Sequence, residues 1–150
     1  CSQAINDVLV LVGELCNEAQ ISSDSLNLHL ASALADNKEN KYTIAFTNMY
    51  NGITVNYGGA GGHAVVAEVD NGVITSFMMH IANLHEAQNS TSVGPVLSAI
   101  DTLYGAYGAG KITITDVYKC YDLKSEGEIK AKWAFRVDNS NEVLVVDAGE

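Results

Sequence analysis

Two Asn-Gly pairs constrain the fold of this chain more than any other feature of its sequence. The pair at residues 51–52 separates two stretches in which apolar and polar side chains alternate, residues 42–47 and 53–55. The pair at residues 71–72 joins two further apolar stretches and predicts one hairpin over residues 63–81. Asn and Gly both tolerate the positive φ of a type I′ turn, so each pair favours a tight reversal. The sequence therefore predicts antiparallel strands in its first half.

Two other segments have the periodicity of amphipathic helices. Between Ala4 and Glu18 the apolar residues recur at spacings of three and four, and Ser2 is the expected N-cap. A second helix should begin near Pro95, which suits a first turn, and run to about Tyr107. The glycines that follow it favour a helix end.

The C-terminal third is typical of an antiparallel meander. Alternating apolar residues predict three strands, KITITDVYKCYD, EIKAKWAFRVD and EVLVVDA, with the tight turn DNSN between the last two. Earlier in the chain, residues 26–30 alternate leucine with polar side chains and predict a half-buried strand, although the stretch also fits a short helix. A helix therefore precedes a run of strands in each half.

This recurring order suggests an internal repeat. An offset of 89 residues places residues 45–46 on residues 134–135 and the first helix on the second. We therefore expect a single domain, residues 1–150, built from pseudo-repeats of about 1–90 and 91–150. The expected fold class is α+β, with two helices each packed on antiparallel β-strands in a tandem pseudo-repeat.

The repeat also predicts which side chains face the helices. Trp133 and Phe135 share one strand face, and the second helix should present Leu97, Ile100 and Tyr104 to them. We expect Trp133 to be a core residue rather than a platform for stacked bases, because the chain is acidic.

Composition and charge exclude several classes of function. The chain has 150 residues, 47% of them hydrophobic, which is enough for one ordinary folded domain. Eighteen acidic residues against eight basic ones give a net charge of -10, which repels a nucleic acid or an anionic lipid surface. The sequence contains no apolar run of transmembrane length, and its first residues lack a signal peptide. Because it opens on Cys1 rather than Met, we expect it to derive from a longer protein.

The cysteines do not define a disulfide framework or a zinc site. They are Cys1, Cys16 and Cys120, an odd number without C-x-x-C spacing. Cys16 lies in the helical pattern and is expected to be a small buried hydrophobe, whereas Cys120 falls in a strand. The sequence leaves a bridge between these two residues open.

The glycine-rich stretch GGAGGH spans residues 58–63. Such a stretch cradles a phosphate when it opens a helix, because the helix N-terminus supplies N–H groups and positive partial charge. Here a strand pattern follows, and the G-K-[ST] ending of a P-loop is missing. We therefore expect residues 58–62 to form a corner between two antiparallel strands, with no nucleotide or other cofactor bound.

One arrangement of residues points to an enzyme. Papain-like peptidases place a Cys near the start of a helix and a Gly-His pair at the head of a strand, and Cys1 and His63 occupy such positions here. No family signature surrounds Cys1, and no motif marks an Asn or Asp that would orient the histidine. We therefore expect a non-enzyme and keep a cysteine-dependent hydrolase using Cys1 and His63 as an alternative.

The remaining histidines do not form a metal-site pattern. His80 and His85 are five residues apart, whereas zinc-binding helices place two histidines four apart. His29 lies on the polar face of its strand and is expected to be solvated. The sequence thus predicts no catalytic, cofactor-binding or metal-binding residues.

A resemblance to a known family rests on five stretches of the chain. They are YTIAFTNMYNGITV, VAEVDNGVITSF, SAIDTLYGAY, ITITDVYKCY and KWAFRVDNSNEVLVVDAGE. In this order, over about residues 40–150, they resemble the PepSY-like extracytoplasmic domains. These include the YycH/YycI regulators that restrain a sensor histidine kinase and the tandem domains of spore-germination proteins. The GGAGGH stretch and the cysteines depart from that pattern.

The resemblance implies a non-catalytic interaction or regulatory domain of a bacterial cell-envelope protein, located outside the cytoplasm. Its partner would be a protein of the envelope, such as a sensor kinase or a peptidase. The chain would be secreted, or anchored through a segment it does not contain. Besides the hydrolase, a peptidase-inhibitor-like domain that blocks its target by edge-strand pairing is an alternative.

Overall fold

The secondary structure is mostly strand. A computed structural model describes residues 1–22, 26–36, 39–58, 61–82, 93–108, 110–123, 129, 131–138 and 143–147. These residues form two helices, α1 (Ser2–Glu18) and α2 (Val96–Tyr107). They also form eight strands: β1 (Leu28–Asp36), β2 (Lys41–Tyr50), β3 (Ile53–Asn56), β4 (Val65–Asp70), β5 (Val73–Met79), β6 (Ile114–Asp122), β7 (Ala131–Val137) and β8 (Val143–Val146).

The chain divides into two compact units. The first unit comprises Cys1–Tyr50 and His63–Ala82, and contains α1, β1, β2, β4 and β5. The second unit comprises Asn51–Gly62 and Asn83–Glu150, and contains β3, α2, β6, β7 and β8. Each unit therefore includes one helix and four of the described strands.

In the first unit the strands are antiparallel and lie in the order β1-β2-β4-β5. The turn between β4 and β5 contains Asn71 and Gly72, whose φ angles of 49° and 81° suit a tight reversal. The hairpin predicted over residues 63–81 is confirmed. Ile44 and Phe46 of β2 are buried, with exposures of 0% and 3%, but Ala45 between them is also buried at 3%, so the predicted one-sided burial of this strand is wrong in part.

Helix α1 buries one side of its cylinder. Its buried residues are Ala4, Val8, Val12 and Cys16. Because they are four residues apart, they lie along one face, and burial of each valine there contributes about 1.5–3 kcal/mol. The predicted helix is confirmed, but its N-cap is Cys1 rather than Ser2.

The second unit combines antiparallel and parallel pairing. Strands β6, β7 and β8 form the predicted antiparallel meander. The chain enters β3 through Asn51 and Gly52, with φ angles of 50° and 74°, so the turn predicted there is confirmed. Strand β3 then pairs with β6 in parallel, with Thr54 opposite Cys120. A parallel pair requires a long crossover connection, and the chain between these two strands includes α2.

The core of the second unit lies between α2 and the meander. Its buried cluster is Ala99, Leu103, Phe135 and Val137, with Ile100, Ile112, Ile114, Trp133, Leu144 and Val146 partly buried around it. Trp133 and Phe135 thus face the helix, as predicted. The predicted helix face is wrong in part, because Leu97 is 70% exposed. Leu97 and Ala99 are two residues apart and therefore point to opposite sides of α2.

The predicted fold class is wrong. Strands hold 47% of the described residues and helices 25%, and this is not a tandem of two helices each packed on antiparallel strands. Pairing is mixed, because β3 lies parallel to β6. Residues 51–62 belong to the second unit although they fall within the first pseudo-repeat, 1–90. The offset of 89 residues matched a local strand-turn-strand pattern, which does not determine which strands pair. The single domain over 1–150 stays a prediction.

Candidate functional site

The two residues of the hydrolase hypothesis lie on separate elements. Cys1 is the exposed N-cap of α1, and its side chain makes no capping hydrogen bond. His63 is half-buried and precedes β4 by two residues. These positions do not test whether the chain is an enzyme. The non-enzyme and the hydrolase therefore both stay predictions.

The glycine-rich stretch leads into a strand, as predicted, because β4 follows it. The N–H of Gly58 donates to Asn56 Oδ1 at 3.0 Å, and the N–H of Tyr57 donates to the Gly62 carbonyl at 3.1 Å. Gly62 has a φ of +64°, and a Cβ at this position would overlap Asn56 Oδ1. Residues 59–60 lie outside the described part of the chain. The described glycines therefore fold the turn against Asn56 and do not open a helix.

His29 and Trp133 each make a hydrogen bond within the fold. His29 is exposed and its Nε2 lies 3.1 Å from Asn27 Oδ1. The indole Nε1 of Trp133 donates to the Gly94 carbonyl at 2.9 Å, which attaches β7 to the segment ahead of α2. His85 lies outside the described residues, among which no group of three His, Cys, Asp or Glu side chains could hold a metal ion.

Cys16 and Cys120 are buried free thiols. Burial raises the pKa of Cys16. Burial, followed by the negative charge of Asp122, raises the pKa of Cys120 to about 12, against the opposing effect of Lys132. Because the thiolate is the nucleophilic form, neither thiol is activated at neutral pH. The expectation that Cys16 is a small buried hydrophobe is confirmed.

A cleft of about 610 Å³ opens in the second unit. It lies beside the C-terminal half of α2, along β8, and at the ends of β3 and β6. The lining residues are Asn56, Gly58, Thr102, Leu103, Ala106, Tyr107, Asp122, Val143, Leu144, Val145, Val146 and Asp147. This volume falls in the range of small-molecule sites.

Two polar residues mark the end of the cleft at the parallel strand pair. Asn56 and Asp122 lie opposite each other, as the last residues of β3 and β6. Their exposures are 4% and 8%, so both are largely buried. The N–H of Leu123 donates to the Asn56 carbonyl at 3.0 Å, which continues the ladder past the strand end. The parallel pairing therefore places an amide and a carboxylate side by side at the cleft.

Asn56 and Asp122 were not predicted from the sequence. Each is a polar residue that ends an apolar strand, and this is the only local signal that either carries. Their meeting depends on the pairing of β3 with β6, two strands separated by α2 and two other strands in the chain. A contact between two strands this far apart in the chain leaves no motif of fixed spacing in the sequence.

Strand β1 is the most exposed strand of the first unit. None of its nine residues is buried, and among the described strands it pairs only with β2. Leu30 and Leu34 are 49% and 59% exposed. A strand over residues 26–30 is confirmed from Leu28 onward, but the strand is longer and less buried than predicted.

Acidic side chains surround the C-terminal end of β1. A second cleft, of about 580 Å³, is lined there by Leu34 and Asp36 together with Lys41, Glu68 and Asp70. Lys41 is the only cation among the described lining residues, and its Nζ lies 3.9 Å from Asp70 Oδ2. This end of the first unit is therefore negatively charged.

The Lys41 charge is further offset by Glu39. Lys41 Nζ donates to Glu39 Oε2 at 2.6 Å, and this hydrogen bond lowers the pKa of Glu39 and raises that of Lys41. Exposed ion pairs of this kind contribute little to stability. Near this end of β1, the described carboxylates outnumber the one cation, Lys41.

Comparison with known proteins identifies no relative, because no family model, curated protein or solved structure matches the chain. The PepSY-like resemblance and the location outside the cytoplasm therefore stay predictions. Neither of the two described helices combines the length and apolar character needed to cross a membrane.

Proposed function

We propose that this chain is a non-catalytic protein-interaction domain that binds an extended segment of a partner protein along β1. The observation that carries the proposal is β1, the more exposed of the two rim strands of the first unit. A strand paired on one side leaves backbone N–H and C=O groups available on the other, and added strands are a common mode of peptide recognition. Leu34 would supply the apolar contact, whereas the register shift between Leu30 and Ser32 places Leu30 on the opposite face of the sheet.

The expected partner segment is extended and basic. Asp36, Glu68 and Asp70 lie around one end of β1 with Lys41 as the cation among them. The whole chain carries a net charge of -10, so a basic partner is attracted over long range. We expect a segment whose apolar and basic side chains are two residues apart, because the strand register places Leu34 on the same face of the sheet as Asp36 and Glu68.

Selection from a library of random peptides, each about as long as β1, tests this proposal. Enriched peptides should carry apolar and basic residues two positions apart, and binding should increase the hydrogen-exchange protection of β1 amides. Leu34→Lys should weaken binding by at least about tenfold, since it removes an apolar contact and repels a basic peptide. Val73→Lys is the matched control, because Val73 is 62% exposed on β5 at the other edge of the same unit.

Peptides that bind Leu34→Lys as well as the parent chain would contradict the proposal. Equal weakening by Leu34→Lys and Val73→Lys would also contradict it, since the effect would then be one of net charge. Melting temperatures of both variants should match the parent, because exposed substitutions change stability by about 0.5 kcal/mol or less.

The regulatory role outside the bacterial cytoplasm is part of the same proposal and is supported by the PepSY-like resemblance. Fractionation of the tagged native protein should find it in the cell envelope, where external protease reaches it in spheroplasts. Crosslinking from residue 34 should capture a protein of that compartment. Recovery in the cytoplasm would contradict this part and leave the peptide-binding part standing.

The exposed edge of β1 also favours a second function, inhibition of a peptidase by strand pairing. A panel of envelope peptidases distinguishes the two: an inhibitor blocks cleavage, and Leu34→Lys relieves the block. Labelling of Cys1 by a thiol-reactive probe addresses the hydrolase instead. We expect the rate of an ordinary exposed thiol, unchanged in His63→Ala, and fast labelling that depends on His63 would restore the hydrolase.

A further inference from the structure

We infer that the Asn51-Gly52 pair is a site of spontaneous deamidation, whereas the second Asn-Gly pair, Asn71-Gly72, is protected from it. In this reaction the asparagine side chain becomes a carboxylate without an enzyme, and water is the only co-reactant. The product at residue 51 carries a new negative charge and, in one of its two forms, an extra main-chain atom. This inference does not depend on the β1 surface.

The reaction is an attack by the main chain on its own side chain. The Gly52 nitrogen loses its proton and forms a bond to Cγ of Asn51. The bond from Cγ to Nδ2 breaks, and Nδ2 leaves with that proton as ammonia. Water then opens the resulting cyclic imide at either carbonyl, which gives aspartate or isoaspartate, and nothing is oxidised or reduced. Glycine at the second position favours the attack because it has no Cβ to hinder it.

The two pairs have nearly the same backbone and the same access to water. Asn51 and Asn71 have φ angles of 50° and 49°, and the glycines that follow them have 74° and 81°. All four residues are exposed. Neither glycine N–H donates a hydrogen bond within the described part of the chain, and a Cβ at either glycine would meet no neighbouring atom. A difference in rate therefore has to come from the asparagine side chains.

Hydrogen bonds hold the Asn71 side chain on both of its polar atoms. Its Oδ1 accepts from Asn40 Nδ2 at 3.1 Å, and its Nδ2 donates to Asp70 Oδ1 at 2.8 Å. The backbone N–H of Asn71 also donates to the Asn40 carbonyl at 3.1 Å. Rotation of Cγ toward the Gly72 nitrogen breaks both side-chain bonds. The Asp70 carboxylate further opposes the negative charge that the attack develops on the amide.

The Asn51 side chain makes no hydrogen bond to any described residue. Its Cγ therefore rotates toward the Gly52 nitrogen without the loss of a contact. The strand that follows, β3, has four residues and pairs with β6 through residues 54–56. Isoaspartate adds an atom to the main chain immediately ahead of this short strand, so we expect its pairing with β6 to loosen.

Incubation of the whole chain at mildly alkaline pH, followed by peptide mapping with mass spectrometry, measures both rates in one sample. Residue 51 should convert about fivefold faster than residue 71 or more, which corresponds to the net contribution of one hydrogen bond. The chain unfolded in urea is the control, because both pairs lose their surroundings there and should convert at similar rates. Fragmentation that distinguishes aspartate from isoaspartate identifies the products.

Two substitutions release Asn71. Asn40→Gly removes the donor to Oδ1 and suits the φ of 50° at residue 40, and Asp70→Ala removes the acceptor of Nδ2. The double variant should convert residue 71 about fivefold faster or more and leave the rate at residue 51 unchanged. A melting temperature close to that of the parent excludes unfolding as the cause.

The isoaspartyl chain, separated by ion exchange, tests the effect on β3. Asn51→Asp is the matched control, because it carries the new charge without the extra main-chain atom. Backbone amides of residues 54–56 should exchange hydrogen faster in the isoaspartyl chain than in Asn51→Asp. Equal exchange in the two would overturn the loosening of β3.

Conversion of residue 71 as fast as residue 51 in the folded chain would overturn the inference. The same ratio of the two rates in the folded and the urea-unfolded chain would overturn it as well, and so would an unchanged rate at residue 71 in the double variant. A preference for residue 51 that is present in the folded chain and lost in urea supports it.

Discussion

The two units of this chain obtain their strand pairs in different ways. In the first unit, β1 pairs with β2 and β4 with β5, and each pair is separated by only a few residues in the chain, with Asp36 opposite Lys41 and Asp70 opposite Val73. In the second unit, β3 pairs with β6, which lies far along the chain, and Thr54 lies opposite Cys120. The first unit is an antiparallel sheet with an open rim, in which β2 and β4 also pair across a longer stretch of chain, whereas parallel pairing in the second unit brings two strand ends together beside a cleft.

This difference separates two kinds of candidate binding surface. An exposed rim suits an extended protein segment, because its backbone groups are available along the strand. A cleft lined by buried Asn56 and Asp122 suits a small ligand, because it surrounds polar groups with apolar walls. Paired substitutions, one in each unit, test whether the two units differ in this way.

The largest expected effects come from the two buried phenylalanines. Phe46 in the first unit and Phe135 in the second are 3% and 0% exposed. Phe46→Ala and Phe135→Ala should each lower the free energy of unfolding by about 3–5 kcal/mol. Chemical denaturation measures both, with Leu97→Ala as the exposed control. A melt of either variant that overlays the parent would show that its unit lacks a packed core around that ring.

Two glycines with positive φ should differ in their response to alanine. A Cβ at Gly72 in the first unit would meet no neighbouring atom, so alanine there should cost about 1–2 kcal/mol from backbone strain alone. Gly62→Ala adds the overlap with Asn56 Oδ1, so its cost should reach about 2–4 kcal/mol. Equal costs, measured by denaturation, would mean that Gly62 is not packed against Asn56.

The buried thiols should differ at alkaline pH. The pKa of Cys120 is raised to about 12, so its contribution to stability is full below the unfolded-state pKa and is lost as pH rises toward about 12. The loss should reach about 2 kcal/mol near pH 10.5. Cys120→Ala should therefore flatten the decline of unfolding free energy above pH 9 more than Cys16→Ala does. Parallel pH profiles for the two variants would contradict the raised pKa of Cys120.

The smallest effects concern two aromatic hydrogen bonds. Trp133→Phe removes the donor to the Gly94 carbonyl and should cost about 1 kcal/mol. Tyr42→Phe removes a 3.4 Å bond from an exposed hydroxyl to Asn40, and should change stability by about 0.5 kcal/mol or less. If the two variants melt alike, the indole does not attach β7 to the segment ahead of α2.

Turn chemistry and periodicity predicted most of the elements. The Asn-Gly pair at 71–72 was sufficient for the β4–β5 hairpin, and the spacing of apolar residues was sufficient for α1 and α2. These signals are local. A type I′ turn depends on its two central residues, and a helix face depends on one apolar residue every three or four positions. The resemblance of the two halves came from the same local signals, and it led to the wrong fold class.

The features that the sequence did not predict depend on contacts between residues that lie far apart in the chain. Nothing near Thr54 or Cys120 indicates that their strands pair, and nothing near Leu34 indicates that β1 lies at a rim. The face of α2 was also assigned in part to the wrong side, because Leu97 is as apolar as Leu103.

The sequence by itself therefore determined where strands, helices and tight turns occur, because side-chain period and backbone preference act within a few residues. The tertiary structure decided which strands are neighbours, which apolar side chains are buried, and that Asn56 meets Asp122 at a cleft. Those outcomes depend on the total apolar area and backbone hydrogen bonding that the whole chain can satisfy at once, and no single segment contains that information.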